Sequence, residues 1–324
     1  MNKKLLSITI PTWNRSKTLD KALSHLLPQI SVLKEYVELI ISDNCSTDNT
    51  KEVIQEWRNK YKEIDFITFY QTENTGFFGN FRKCKELATG KFFWILSDDD
   101  FIQINVLETI INFLKNASPE IGLIYLNSKE NNNKSIYIKD IDIFDVFYKF
   151  NHDLTLTSSV IFYNNKQNDD FIFKEFYKSN LIGFALLVDV IRYKNKAVIF
   201  NGYLLSFRMD KITGYNIFDA FVFDICKILS YMPTIGYSKK IISKFKEAIV
   251  KKIWVKRYFY LKAKGKMDAG LYTYPLKEVN KILKEHFSCT FNYWVFIFPL
   301  MLLPTFIIKY SFPIVEKLRN FIRK

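Results

Sequence analysis

The sequence predicts an α/β fold, a mostly parallel sheet flanked by helices and followed by a basic and apolar helical extension at the C-terminus. Three observations predict it. Short apolar runs alternate with amphipathic helical patterns up to residue 126. Each early run ends in a polar cluster that precedes a helix. Beyond residue 233 the apolar residues are interleaved with lysine.

The elements follow in order. LLSITI at 5–10 reads as a strand, and from Ser16 Leu19, Leu23 and Leu26 recur at helical spacing until Pro28. VELIIS at 37–42 is the second strand, followed by the polar turn DNCSTDNT at 43–50 and a helix through Val53, Ile54 and Trp57. IDFITFY at 64–70 leads through QTENTG into a third helix that ends near Gly90, a suitable C-cap. KFFWIL at 91–96 runs into Ser97-Asp98-Asp99-Asp100, and a helix from Val106 to Leu114 precedes a fifth strand, IGLIYL at 121–126. Such alternation places functional loops at the C-terminal ends of the strands. NSKENNNK at 127–134 is a surface loop, and LTLTSSVIFY at 154–163 and KAVIFNGYLLSFR at 196–208 extend the sheet.

A chain of 324 residues allows two domains, or one large domain with an appendage. An apolar content of 48% with 17% aromatic excludes a disordered chain. The net charge of +14 is unevenly placed: 15 basic and 16 acidic residues precede position 121, whereas 32 basic and 17 acidic follow. Cys45, Cys84, Cys226 and Cys289 lack C-x-x-C spacing, and His25, His152 and His286 are far apart, which argues against a disulfide framework or a zinc site. Met1-Asn2-Lys3-Lys4 runs directly into a short apolar segment ending at Pro11, too short for a secretory signal, so the expected location is the cytoplasm.

The tail has its own pattern. Lys239 to Lys266 carries eleven basic residues and one acidic residue, Glu247, among bulky apolar side chains, as in a helix lying on an anionic membrane. Phe291 to Ile308 has no charge in 18 residues but is broken by Asn292, Pro299 and Pro304. It is marginal for a crossing and suits an interfacial or re-entrant hairpin; packing against the rest of the chain or another subunit is the alternative.

Chemistry concentrates at three strand ends. Asp98, Asp99 and Asp100 repel one another, an arrangement that a cation relieves; oxygen ligands suit Mg2+ or Mn2+, with Asp98 and Asp100 as ligands and Asp98 also directed to a ribose. An acidic helix-capping turn is the simpler alternative. Asp43 opens onto the same sheet edge and suits a base N–H, or else an Asx turn toward Ser46, Thr47 and Asp48. Pro11, Thr12, Asn14 and Arg15 form the third end, whose backbone can line a nucleotide while Arg15 meets phosphate or serves as an ordinary turn residue. The chain has neither a P-loop nor a strand-following G-x-G-x-x-G.

SITIPTWNR, IISDNCSTDNT and ENTGFFGNFRKCKELATGKFFWILSDDD together resemble the family 2 glycosyltransferases over about the first 120 residues. The resemblance implies a GT-A fold and inverting transfer of a sugar from a nucleoside diphosphate, with a UDP-sugar as donor. It places Pro11 and Thr12 beside the nucleotide, Asp43 at the uracil, Asn74, Gly76 and Asn80 in the loop motif, and Asp98 and Asp100 in the D-x-D motif around Asp99. The W-x-L-S-D-D-D ending further resembles enzymes of bacterial surface-polysaccharide synthesis, including abequosyltransferase-like members. The expected organisation is a GT-A domain over 1–232, with a donor half at 1–120 and an acceptor half at 121–232, followed by the basic and apolar extension at 233–324, which its composition marks as membrane-associating.

An inverting enzyme needs a base in the acceptor half, and the family's E-D pair is absent from 174–193. Asp189, Glu175 and Asp153 are the candidates. Arg208 is a candidate phosphate contact, and no Q-x-x-R-W loop follows it, unlike processive synthases. The expected partners are a UDP-sugar, a glycan or polyprenyl-diphosphate-linked oligosaccharide, an anionic membrane at the inner face of the cell membrane, and a second copy of the chain, with no nucleic acid. A sugar-phosphate nucleotidyltransferase and a non-enzymatic nucleic-acid- or membrane-binding protein are the competing readings.

Overall fold

The computed structural model describes residues 4–128, 136–207, 216–265 and 274–322. Its contacts divide the chain into two compact units, Met1–Met209 and Asp210–Lys324.

The first unit opens with β1 (Leu6–Thr12), α1 (Ser16–Ser31), β2 (Val37–Asp43), α2 (Thr50–Lys60), β3 (Phe66–Tyr70), α3 (Gly76–Leu87) and β4 (Phe92–Ile95). It continues with β5 (Asp100–Ile102), α4 (Val106–Lys115), β6 (Ile121–Ser128), β7 (Tyr137–Asp142), α5 (Ile143–Phe150), β8 (Val160–Tyr163), α6 (Asp169–Glu175), α7 (Ile182–Asp189), β9 (Lys196–Gly202) and β10 (Leu205–Phe207). Eight strands form one sheet in the order β3-β2-β1-β4-β8-β6-β9-β7. β1 to β4 pair in parallel, β8 lies antiparallel between β4 and β6, β9 is parallel to β6, and β7 is an antiparallel edge. β5 and β10 make a separate antiparallel ribbon. These three-residue strands carry too little pattern to be read from sequence, yet they place Asp100 inside a strand opposite Phe207.

β2 is buried along its whole length, as expected of a strand with helices over both faces. α1 fills one face with Leu19, Leu23, Leu26, Leu27 and Ile30, each fully buried and worth about 1.5–3 kcal/mol. The helix continues through Pro28 to Ser31 rather than stopping there. Pro28 is exposed near the helix end, so water can serve the carbonyl left without a donor.

Gly90 also departs from expectation. α3 ends at Leu87 with an extended Ala88 after it, and Gly90 is not its cap. Gly90 instead lies against β1, where an added Cβ would come 2.7 Å from the Ser7 nitrogen. Its N–H donates to Ser7 Oγ at 2.8 Å and to Glu38 Oε1 at 3.0 Å. The buried Glu38 carboxylate also accepts from Ser7 Oγ and from Thr89 N and Oγ1, so its burial is compensated.

The described part of the second unit is helical: α8 (Ile225–Tyr231), α9 (Lys239–Ile249), α10 (Val255–Lys264), α11 (Leu276–Phe287), α12 (Phe298–Leu302) and α13 (Thr305–Ile322), with π-turns at Val250–Trp254 and Tyr293–Ile297. This unit begins ahead of α8, whereas the sequence suggests a boundary at 232/233. The reason lies in Phe218, whose ring packs 5.2 Å from Trp254 and 4.9 Å from Tyr274, drawing the segment before α8 into the helical unit.

Among the described residues no single helix is long and apolar enough to cross a membrane. Tyr293–Leu302 and Thr305–Pro313 pass that test together but are bent by 106°. Both ends of the first arm are held by charge. Glu247 accepts from Phe291 N at 2.6 Å and Asn292 N at 2.9 Å. At the other end the buried Lys262 Nζ donates to the carbonyls of Leu300, Met301 and Leu303 at 2.6, 2.8 and 2.6 Å. A carboxylate at the helix start and an ammonium at its end match the helix dipole. They also satisfy backbone groups that the bend releases.

Candidate functional site

The parallel strands bring three polar ends to one edge of the sheet. Thr12 and Asp43 are register partners on β1 and β2, and Leu96 N donates to Thr9 O at 2.9 Å, so β4 delivers Ser97 and Asp98 beside them. Thr12 Oγ1 donates to Asp98 Oδ2 at 2.7 Å and closes the gap between the ends of β1 and β4. Asn80 Nδ2, from α3, donates to Ser42 O at 2.9 Å and Thr12 O at 3.4 Å. Its buried Oδ1 has no hydrogen-bond partner among the described residues.

The loops around this edge are pinned by their own side chains. Asn14 adopts φ 52°, with its N–H donating to Ser46 Oγ at 2.8 Å and its Oδ1 accepting from Thr47 N at 2.7 Å. Asp48 accepts from Ser16 N at 3.1 Å and from Thr50 N at 3.1 Å, so one carboxylate caps both α1 and α2. Asn74 Oδ1 accepts from Gly76 N and from Asn44 Nδ2, both at 2.9 Å. Gly76 has φ +71°, which explains glycine there. Asn44 is a site residue that the sequence motifs do not mark. It ties β2 to this loop through Thr75 N at 2.9 Å and Thr75 Oγ1 at 3.0 Å, and only its adjacency to Asp43 hinted at a role.

Asp43 adopts the Asx-turn alternative, accepting from Ser46 Oγ at 2.5 Å and more weakly from Ser46 N. Arg15 Nη1 stands 3.5 Å from Asp99 Oδ2, and Ser97 Oγ donates to Asp99 Oδ1 at 2.5 Å. Asp98 and Asp100 are buried, at 8% and 6% exposure. Burial pushes the Asp98 carboxyl up to about 6; Thr12 and Arg15 oppose the rise, and Asp99 and Asp100 add to it. Two carboxylates of this kind can supply hard oxygen ligands to a divalent cation. Among the described residues no group of three or more His, Cys, Asp or Glu gathers as a metal site, so any such ion would take further ligands from elsewhere.

The three base candidates separate. Asp189, at the end of α7, accepts from Arg192 Nε at 2.8 Å and Asn168 Nδ2 at 2.9 Å. That places it at the opposite edge, where β4 begins: the neighbouring Asp169 pairs with the buried Lys85 at 2.6 Å, which also donates to Asn164, and Asn164 N bonds Lys91 O. Asp189 closes a helix there and lies away from the strand-end crevice. Glu175 ends α6 on an exposed face; that helix runs along α3, with Phe173 edge-on to Phe78 at 5.8 Å.

Asp153 lies on the crevice side. Its 3-10 turn, Asn151–Thr155, leads into Thr157–Ser159, which bonds the β4 end twice: Trp94 Nε1 to Ser158 O at 2.9 Å and Ser97 N to Ser158 Oγ at 3.0 Å. Asp153 Oδ1 is 3.1 Å from His152 Nε2, while Nδ1 of that ring meets Asn151 Oδ1 at 3.0 Å. Arg208 and most of the predicted 127–134 loop lie outside the described residues.

Known proteins show which family and fold this chain shares. Residues 7–171 match the model of glycosyl transferase family 2. Abequosyltransferase RfbV of Salmonella typhimurium is 36% identical over 110 residues, 34% of this chain and 32% of that protein. The GalNAc(5)-diNAcBac-PP-undecaprenol beta-1,3-glucosyltransferase of Campylobacter jejuni is 35% identical over 108 residues, 33% of each chain. The chain thus spans about a third of the length of these relatives. In fold it is similar to S. aureus TarS 1-349 in complex with UDP, with TM-score 0.58 and 16% identity over 80% of this chain and 75% of that one. It is also similar to the mannosyltransferase PcManGT from Pyrobaculum calidifontis, solved with GDP-Man and Mn2+, with TM-score 0.55 and 11% identity over 96% and 87%. The family match takes in more than half of the chain, including all the strand ends that gather Thr12, Asp43 and Asp98, and the chain belongs to glycosyl transferase family 2.

Proposed function

We propose that this chain is an inverting glycosyltransferase that moves one sugar from a UDP-sugar to a lipid-linked glycan acceptor in the synthesis of a cell-surface polysaccharide. The observation that carries the reading is the meeting of Thr12, Asp43 and Asp98 on one strand-end edge, with Thr12 bonded across to Asp98. The named activities of the Salmonella and Campylobacter relatives support sugar transfer, and the second name specifies an undecaprenol-linked glycan.

Asp43 receives the uracil N–H, exchanging its bond with Ser46 for the base. Pro11 and Thr12 line the nucleotide, the 74–80 loop holds Asn74, Gly76 and Asn80 beside it, and Arg15, released from Asp99, meets phosphate. Asp98 and Asp100 fit Mn2+ or Mg2+, because both are buried hard-oxygen donors under mutual repulsion. A bound divalent cation supplies neutralisation of charge on the departing diphosphate. Asp153 takes the proton of the acceptor hydroxyl as that oxygen attacks the anomeric carbon opposite the diphosphate, and His152 orients the carboxylate. The apolar arms at 291–308 rest in the cytoplasmic face of the membrane, with the basic run toward anionic headgroups.

A panel of nucleotide sugars scored for nucleoside diphosphate release tests the reading. Uridine donors should lead, and Asp43→Ala should narrow their advantage over guanosine donors. Pyrophosphate release from a nucleoside triphosphate and a sugar phosphate would replace this reading with a nucleotidyltransferase.

A further inference from the structure

The second unit contains a groove of about 540 Å³ among α10, the Tyr293–Ile297 turn, α12 and α13. Val255, Phe259, Phe296 and Leu300 are among its apolar walls, and the exposed Lys251 and Lys256 also line it. Val295 and Leu303 line the groove and are 42% and 39% exposed, so it opens onto the outer surface of the bent arms. The same bent segment also exposes Phe291, Leu302, Phe306 and Tyr310, at 73%, 68%, 66% and 86%. The groove therefore lies in a segment with exposed apolar side chains and carries two ammonium groups in its lining.

We propose that this groove binds one acyl chain of an anionic membrane phospholipid, with the headgroup phosphate at Lys251 and Lys256. The inference rests on the membrane reading of the 291–308 arms. Size favours a single acyl chain: a groove of about 540 Å³ lies in the range that small ligands fill, far short of what a long polyprenyl chain needs. Charge favours an anionic headgroup over a zwitterionic one. The exposed Val295 and Leu303 at the opening let a chain slide in from a bilayer against apolar side chains. The bound lipid would fix the bent arms in the interface, adding a specific contact to general apolar partition.

The test uses the full chain and two readouts: binding of monomeric palmitoyl-lysophosphatidylglycerol below its micellar concentration, and sedimentation with phosphatidylcholine vesicles with and without phosphatidylglycerol. Saturable binding at one site is expected, about tenfold tighter than for palmitoyl-lysophosphatidylcholine. Val255→Trp and, independently, Leu300→Trp should fill the groove and weaken this binding by about tenfold or more while vesicle sedimentation persists. Phe291→Ser with Phe306→Ser should do the reverse. Unsaturable uptake unchanged by either tryptophan overturns the groove, as does displacement of the lysolipid by far lower concentrations of a polyprenyl phosphate. Monomer binding without vesicle sedimentation removes the membrane reading and leaves the groove; sedimentation without saturable binding does the opposite.

Discussion

In the first unit, polar side chains meet one another where parallel strands end: Thr12 with Asp98, and Asn44 with Asn74. In the second, charged side chains meet the main chain of a broken helix, Glu247 at its start and Lys262 at its end. The first arrangement converges on an open edge and can exchange internal partners for a ligand. The second holds the backbone of an apolar hairpin in place and offers little for chemistry. Polar side chains thus gather at a candidate ligand edge in one unit and hold the backbone in the other.

Five substitutions put that contrast to the test. The largest effect is expected at Asp153: Asp153→Asn should lower kcat by about 10²–10⁴-fold with the donor KM little changed, as loss of a general base does. Asp189→Asn should leave kcat near wild type while lowering stability by about 1–3 kcal/mol, because it weakens the bond to Arg192. A kcat loss at Asp189 with none at Asp153 would reverse the assignment.

Lys262→Leu comes next. Three carbonyls lose their donor, and an unfolding titration should show a loss of about 3 kcal/mol. If stability is unchanged, the charge-held bend is wrong.

Asp98→Asn should instead stabilise the metal-free protein at pH 8, by at most about 3 kcal/mol. The sign follows from burial: a carboxyl raised to about 6 when folded pays its ionisation penalty as pH climbs from 3.8 to about 6, and pays none below 3.8. The gain should therefore vanish in acid, as thermal melts at pH 8 and pH 4 would reveal.

The smallest effect is at Asp48. Burial works to raise its pKa, but hydrogen bonds from Thr50 and Ser16 outweigh it and hold the carboxyl below 3.8. A depressed folded pKa gives stability that is present above 3.8 and lost as pH falls through the folded value. Asp48→Asn should cost about 1 kcal/mol near neutral pH and progressively less in acid.

Much of the first unit was legible because its signals are local. The runs at 5–10, 37–42, 64–70, 91–96 and 121–126 become β1, β2, β3, β4 and β6, since buried parallel strands need continuous apolar sequence. The meeting of Thr12, Asp43 and Asp98 followed from the parallel order. What escaped notice depends on distant partners. Gly90 looked like a cap because its clash is with Ser7, on another strand. Asp189 looked like a candidate base because Asn168 and Arg192, which occupy its carboxylate, could not be placed from periodicity. Glu247 stood out in sequence only as one acid in a basic run; its purpose depends on Phe291 and Asn292 folding back onto it.

In the proposed function the strand-end carboxylates bind and activate a nucleotide sugar. That role is tested most directly by Mn2+-stimulated UDP release from the preferred UDP-sugar, measured in parallel for wild type, Asp100→Ala and Asp189→Asn. Release should fall by about 10²-fold or more for Asp100→Ala, with its unfolding transition intact, and stay near normal for Asp189→Asn. Undiminished release from Asp100→Ala would contradict it.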